Sequence, residues 1–360
     1  MDGDLRKRPF FYGNGLHGIG GEWLSRKSRL RKRDILVISI VVLLVLAGLY
    51  LGAQWLEDKN ASPEPRGDYR LRYEDKQLTV NGQTYRQRSN LITILFMGID
   101  QEDISDSTPA YLRYLSGGQA DFLRLMVIDP LEKTIAQIEI DRDTMTPITM
   151  LNTLGEKLGY RTAQICLSHS YGDGKEQSCE YTVEAVSNLL YNLPIKYYAA
   201  MNLDGISTLN DMLGGVTVTL ADDFSHLDPA MTKGTTLTLV GDQAEIFVRS
   251  RMSMEVGTNE ARMARQQQYV SQMMELLHQK IQESSDFIGA LFDSLAPQLC
   301  TNMSRAQMMN EAWTARNYTR LPLQSISGVH QKGDYGYIQF LPDEASLEQV
   351  ILDVFYQKVK

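Results

Sequence analysis

The chain of 360 residues lacks most of the short motifs that announce a chemistry. It has no G-x4-G-K-[ST] phosphate loop, no H-E-x-x-H metal pair, no G-x-S-x-G nucleophile elbow and no glycine fingerprint of a dinucleotide fold. The usual sequence forms of nucleotide hydrolysis, zinc peptidase, serine esterase and dinucleotide-dependent chemistry are thereby excluded. The 5 histidines are scattered, none paired at ligand spacing. There is no internal repeat, no low-complexity tract and no helix-turn-helix pattern beside the basic residues, so DNA recognition has no visible module. With 43% hydrophobic and 22% charged residues, bulk disorder is excluded as well.

What is present is uneven. Residues 1–34 hold nine Lys/Arg against four Asp/Glu, so the net −8 of the chain leaves −13 for the remainder. Next comes "ILVISIVVLLVLAGLYLGAQWL", Ile35 to Leu56, 22 residues without a charge. A bilayer core needs about 20 apolar residues in a helix, so this run is long enough to span one. Arg26, Lys27, Arg29, Arg31, Lys32 and Arg33 precede it and would stay in the cytoplasm, so the 300 or so later residues are expected outside the cell. A cleaved signal peptide is the rival reading, although its apolar region is usually about 7–15 residues. The expected organisation is a basic cytoplasmic tail (1–34), a transmembrane helix (35–56), a juxtamembrane linker and hairpin (57–89), a main domain (90–285) and a C-terminal helical extension (286–360).

Cysteine is scarce, at 3 residues. Cys166 and Cys179 bracket the polar loop "LSHSYGDGKEQS" in the outward part, where disulfides persist, so a 166–179 bridge is expected over two free thiols. Cys300 is then the odd one, left for packing.

In the hairpin region, Asn81–Gly82 sits between two short strand-like runs, a turn signal. "LITILFMG" is apolar on both faces, as a covered central strand should be. "FLRLMVID" and "TIAQIEI" follow as strands, "EYTVEAVSNLLYNL" as a helix, "KYYAAMNL" as a strand, "DGISTLNDML" as a helix and "GGVTVTL" as a strand. "DQAEIFVRSR" and "NEARMARQQQYVSQMMELLHQKI" read as two more helices, and the alternation argues for an α/β domain.

The candidate chemistry lies at strand ends. Asp100 closes the first strand, Asp121 opens the second, and Arg142 continues the apolar side of the third (Ala136, Ile138, Ile140) just where it ends. Two carboxylates and an arginine there would suit a Mg²⁺-bound phosphate, while an Asp–Arg surface pair with turn-favouring aspartates is the plainer alternative. Arg249, Arg251, Arg262, Arg265 and Gln266 gather late in the chain; Arg262, Arg265, Gln266 and Tyr269 share one helical stripe. That many guanidinium groups in an acidic body suggest a local anion site, with salt bridges to Glu255 and Glu260 the alternative.

In this order, "ILFMGID", "QADFLRLMVIDP", "IEIDRDTMTPI", "NLPIKYYAAMNLDGISTLNDMLGGVTV" and "VRSRMSMEVGTNEARMARQQQ" resemble the LytR-CpsA-Psr family of envelope proteins over residues 90–285. The resemblance implies an α-β-α sandwich with a mixed central sheet and a hydrophobic lipid groove, behind a single membrane anchor. It implies transfer of an anionic glycopolymer from a polyprenyl-pyrophosphate carrier onto peptidoglycan, releasing polyprenyl phosphate. It makes Asp100 and Asp121 the Mg²⁺-site acids and Arg142 the essential arginine. Asp143 would be a base or orient Arg142, and Arg249, Arg251, Arg262 and Gln266 would hold the pyrophosphate. Asp141 stands where the family usually has Pro, Gln119–Ala120 where Arg-Ser is common, and Asn259 and Ala261 where Asp and Gly are usual. A non-catalytic polyprenyl-phosphate binder or regulator, and a pyrophosphate hydrolase, are the alternatives.

Overall fold

The computed structural model describes residues 76–100, 117–152, 154–250, 259–334 and 336–359, with side chains omitted for 259–263. The expected transmembrane helix and basic tail lie outside the described residues, among which no helix is long and apolar enough to cross a membrane.

The first elements form the expected hairpin, β1 (Gln77–Val80) and β2 (Gln83–Gln87). Its turn places Asn81 at φ 52° and Gly82 at φ 77°, the left-handed pair that a tight hairpin demands. Then come β3 (Ile92–Ile99), β4 (Ala120–Asp129), β5 (Thr134–Ile140), β6 (Met145–Leu151), β7 (Lys157–Gln164) and a 3-10 turn at Ile165–Ser170. Helix α1 (Glu176–Leu189), β8 (Tyr197–Asn202), α2 (Gly205–Met212), β9 (Thr217–Thr219), β10 (Thr236–Thr238), α3 (Asp242–Arg249) and α4 (Asn259–Glu283) follow. The chain closes with α5 (Asp286–Leu295), β11 (Leu299–Thr301), α6 (Arg305–Ala315), β12 (Thr319–Arg320), β13 (Gln324–Ser325), β14 (Gly328–Lys332), β15 (Ile338–Pro342), α7 (Glu344–Phe355) and β16 (Tyr356–Lys358).

The central sheet is mixed, in the order β11-β8-β3-β4-β5-β12, with β13 also on β5. Strands β3, β4 and β5 are antiparallel neighbours, whereas β8 runs parallel to β3. Alternation sorts their side chains onto two faces. Leu95, Leu123, Leu125 and Ile138 are fully buried on one, in a core completed by α1 and α7 through residues such as Val186 and Ile351. Ile94, Phe96, Met126 and Ile128 face the other way, toward Met308 and Ala315 of α6.

Residues 286–360 are not an appended helical extension. They supply both edges of the central sheet, the helix α7 that fills the core, and β16, which pairs with β2 of the N-terminal hairpin. The hairpin and the tail of the chain are thus parts of one fold. The β6–β7 hairpin was not expected either. Pro147 sits inside β6 opposite Thr162, a place proline can occupy because β6 pairs on one side only, leaving its missing N–H without consequence.

Candidate active site

Between the second face of the sheet and helices α4, α5 and α6 lies an apolar cavity of about 650 Å³. Its floor is β3, β4, β5 and β8; its roof includes Met273 and Leu277 of α4, Leu291 of α5 and Met308 of α6. The end of the cavity at Asp100 and Asp121, where β3 closes and β4 opens, is polar; Arg249 and Gln266 also line the cavity, as do Arg124, Glu311, Arg316 and Arg320.

Local backbone geometry builds this end. Gly98 of β3 opposes Phe122 and Ile99 opposes Ala120, so Asp121 is an extra, bulged residue without a partner across the ladder. A bulge re-aims its side chain, which is why an acid at the start of a buried strand reaches the cavity edge. Asp100, at the end of β3, accepts a hydrogen bond through Oδ1 from the Gln119 amide at 2.5 Å. Its own amide donates to the Gln119 carbonyl at 3.0 Å. The two carboxylates are therefore held on either side of residue 119.

Arg142 stands directly behind them. Its guanidinium forms an ion pair with Asp121, donates to Gln119 Oε1 at 2.5 Å and to Cys166 Sγ at 3.4 Å, and lies 3.6 Å from Asp143. Arg142 does not line the cavity; it touches that surface through Asp121 and keeps 20% of its side chain exposed. Burial pushes the Cys166 thiol up to about 11, so it meets Arg142 as a neutral S–H. Asp143 is buried; its Oδ1 accepts from Gln164 Nε2 at 2.9 Å, and its amide donates to Asp141 Oδ1 at 2.8 Å. Burial raises the Asp143 carboxyl despite the pull of Arg142. Boxed in this way, Asp143 is held beside the Arg142 guanidinium.

This loop is also clasped by the end of the chain. Phe340 donates its amide to the Asp143 carbonyl at 2.8 Å, and His330 Nε2 lies 2.9 Å from Asp141 Oδ2. No local sequence signal marks this clasp, nor Gln119 as a partner of both Asp100 and Arg142.

On the α3–α4 side, Arg249 at the end of α3 and Gln266 on α4 line the cavity, Arg249 with an ion pair to Glu245. Arg265 turns away. It is buried, ion-paired to Asp222 at 2.5 Å, and donates to the carbonyls of Phe247 (3.2 Å) and Ser250 (2.6 Å). It ties α3 to α4 and, unlike the sequence expectation of a pyrophosphate contact, does not line the cavity; one residue along a helix is a rotation of about 100°, enough to separate it from Gln266. Arg251 and the side chain of Arg262 lie outside the described residues.

The expected 166–179 disulfide is replaced by free cysteines. Cys166 is on the 3-10 turn facing Arg142, whereas Cys179, in the first turn of α1, has His169 Nε2 at 3.7 Å and the Cys300 thiol as a neighbour. Peptide mapping of the unreduced protein should therefore find no peptide joining Cys166 to Cys179; recovering one would contradict this arrangement.

The fold and the site together define a mixed α/β protein with a deep apolar groove, its mouth set with carboxylate, guanidinium and amide groups. The chain belongs to the LytR_cpsA_psr family, whose sequence profile matches residues 61–353. It is 28% identical over 231 residues to the Bacillus subtilis polyisoprenyl-teichoic acid–peptidoglycan teichoic acid transferase TagU, a match covering 63% of this chain and 65% of that protein's length. It is 26% identical to the TagU of Halalkalibacterium halodurans over 88% of this chain and 94% of that one. Two crystal structures share the fold. They are B. subtilis TagV (TM-score 0.53, 23% identity, 75% of this chain and 96% of that one) and protein gbs0355 of Streptococcus agalactiae (0.58, 18%, 73% and 86%).

Proposed function

We propose that this protein is an extracytoplasmic phosphotransferase that moves an anionic glycopolymer from a polyprenyl-pyrophosphate carrier onto peptidoglycan. The observation that carries the reading is the juxtaposition of an apolar groove with a mouth of Asp100, Asp121, Arg249 and Gln266, backed by Arg142. A prenyl chain has no polar group and fits an apolar groove; a pyrophosphate needs charged and amide donors at its opening. The names of the TagU relatives describe the same kind of donor and acceptor. The apolar run 35–56 would anchor the chain in the cell membrane, with the N-terminus cytoplasmic and the site at its outer face.

In this reaction an acceptor sugar hydroxyl attacks the polymer-linked phosphorus. A new P–O bond forms, the hydroxyl proton is released to water, the P–O bond to the lipid phosphate breaks, and polyprenyl phosphate leaves carrying the negative charge. Phosphoryl transfer of this kind depends on positioning and charge stabilisation more than on covalent help. Arg249 and Gln266 would grip the pyrophosphate, and Arg142 would fix Asp121 and add positive charge behind the reacting group. Asp143 keeps Arg142 in register.

The donor set suits Mg²⁺, since Asp100 and Asp121 are hard oxygen ligands of the number that ion takes from a protein at a phosphate site. Among the described residues no cluster of three or more metal-type side chains occurs, so phosphate and water would complete the shell. When bound, the ion would neutralise charge on the pyrophosphate.

The test uses the full chain in detergent, a labelled lipid-pyrophosphate glycan, Mg²⁺ and peptidoglycan oligomers. Label should move to peptidoglycan with equimolar release of polyprenyl phosphate. Label in free glycan phosphate would identify a hydrolase, and intact donor after long incubation a binder; either result overturns the transferase reading.

A further inference from the structure

Of the charged side chains that line the groove away from Asp100, Asp121 and Arg249, only Arg124 is buried, Glu311 and Arg316 being half-buried and Arg320 exposed. Arg124 lies on β4 between Phe122 and Met126, positions that alternation turns toward the cavity, and it lines the groove at 6% exposure. An arginine carries five donors and no acceptor. Here Nη2 bonds Glu139 Oε1 at 3.1 Å, directly opposite on β5, while Nε is buried with no hydrogen-bond partner among the described residues. A buried donor left unsatisfied forfeits its hydration with nothing in return, more so in a charged group, so its presence in an apolar channel calls for a ligand atom.

The direction of the side chain suggests which atom. The guanidinium carbon lies 5.2 Å from the centre of the Phe122 ring, two residues nearer the mouth on the same face. At a rise of about 3.3 Å per residue, the Arg124 backbone is about 10 Å along β4 from Asp121, a separation a long side chain leaning toward the mouth largely closes. Glu139 does not satisfy the group: its side chain is 35% exposed and it occupies a single donor.

We propose that Arg124 is an anion-binding residue inside the groove, contacting the phosphate that carries the prenyl chain. This rests on the groove being the lipid site, and it adds a contact that the mouth residues do not supply. The reacting polymer-side phosphate would lie at Asp100, Asp121 and Arg249, with the leaving phosphate held from below by Arg124. The departing charge would then meet a buried guanidinium already oriented by Phe122 and Glu139, and after transfer Arg124 would retain the prenyl phosphate product.

The experiment compares binding of farnesyl monophosphate and farnesol to the full chain, wild type and variants, with circular dichroism and thermal melting as controls of folding. Wild type should prefer the phosphate. Arg124→Met, similar in length and apolar, should lose about tenfold or more in phosphate affinity, as expected for one charged hydrogen bond, with farnesol binding unchanged within about twofold. Arg124→Lys should keep most of the preference. Glu139→Gln, which removes the competing carboxylate, should strengthen phosphate binding, an effect that a purely structural ion pair would not produce. Retention of the phosphate preference by Arg124→Met overturns the proposal while leaving the groove assignment standing. Failure of wild type to bind either prenyl compound overturns the groove assignment and this proposal with it.

Discussion

Arg142→Ala is expected to lower glycopolymer transfer by about 10³-fold or more, the scale on which removal of an arginine acts in other phosphoryl transfers. The change deletes an ion pair to Asp121, a hydrogen bond to Gln119 at 2.5 Å and the neighbour of Asp143 at 3.6 Å. Because Gln119 also holds Asp100 through its backbone, both candidate metal acids lose part of their support. Binding of a prenyl phosphate in the groove should change far less, since Arg142 does not line it. Transfer assays beside binding assays therefore separate a role in chemistry from a role in capture. Arg142→Lys should not restore activity, because an ammonium cannot address Asp121 and Gln119 with one planar fork. Transfer by Arg142→Ala at the wild-type rate would remove the catalytic assignment.

The second large effect is on stability. Arg265→Ala should destabilise the protein by about 3–5 kcal/mol, the cost of leaving one partner of a buried ion pair behind. Arg265 and Asp222 side chains are 4% and 9% exposed, and Arg265 also satisfies the carbonyls of Phe247 and Ser250. Those contacts join α3 to α4, the helices that carry Arg249 and Gln266 to the groove, so loss of activity should follow loss of structure. Replacing both Arg265 and Asp222 by apolar residues of similar volume should recover much of the deficit, because the desolvation of two charges disappears together. Denaturant unfolding of the single and double variants checks this. An Arg265→Ala protein as stable as wild type, with weakened pyrophosphate binding, would return Arg265 to the anion site.

The opposite fates of Arg142 and Arg265 show what could be read from the chain. Both are candidate phosphate ligands by sequence, Arg142 from its place at a strand end near two aspartates and Arg265 from its place in a cluster of arginines. Arg142 ends in a cluster of acids because β3, β4 and β5 pair side by side and bring three strand ends together. Arg265 meets Asp222, 43 positions earlier, through a helix packing that has no periodic mark in the sequence. The cysteines make the same point: spacing favoured 166 with 179, but the fold gives them Arg142 and Cys300 as neighbours.

By itself the sequence determined the doubly apolar run of β3, the alternation of β5 and the helical stripe of α4, because burial on both sides of a strand leaves no polar face and burial on one side of a regular backbone imposes a period of two or of 3.6 residues. It also carried, in the order of its motifs, the family membership that the profile match establishes. Only the tertiary structure decided which charged groups share the groove mouth, that Arg124 lies inside the channel, and that residues 286–360 complete the sheet and core. Those facts arise from pairing between distant segments, where what matters is which surfaces meet, and a one-dimensional pattern records how each surface is made but not what it will face.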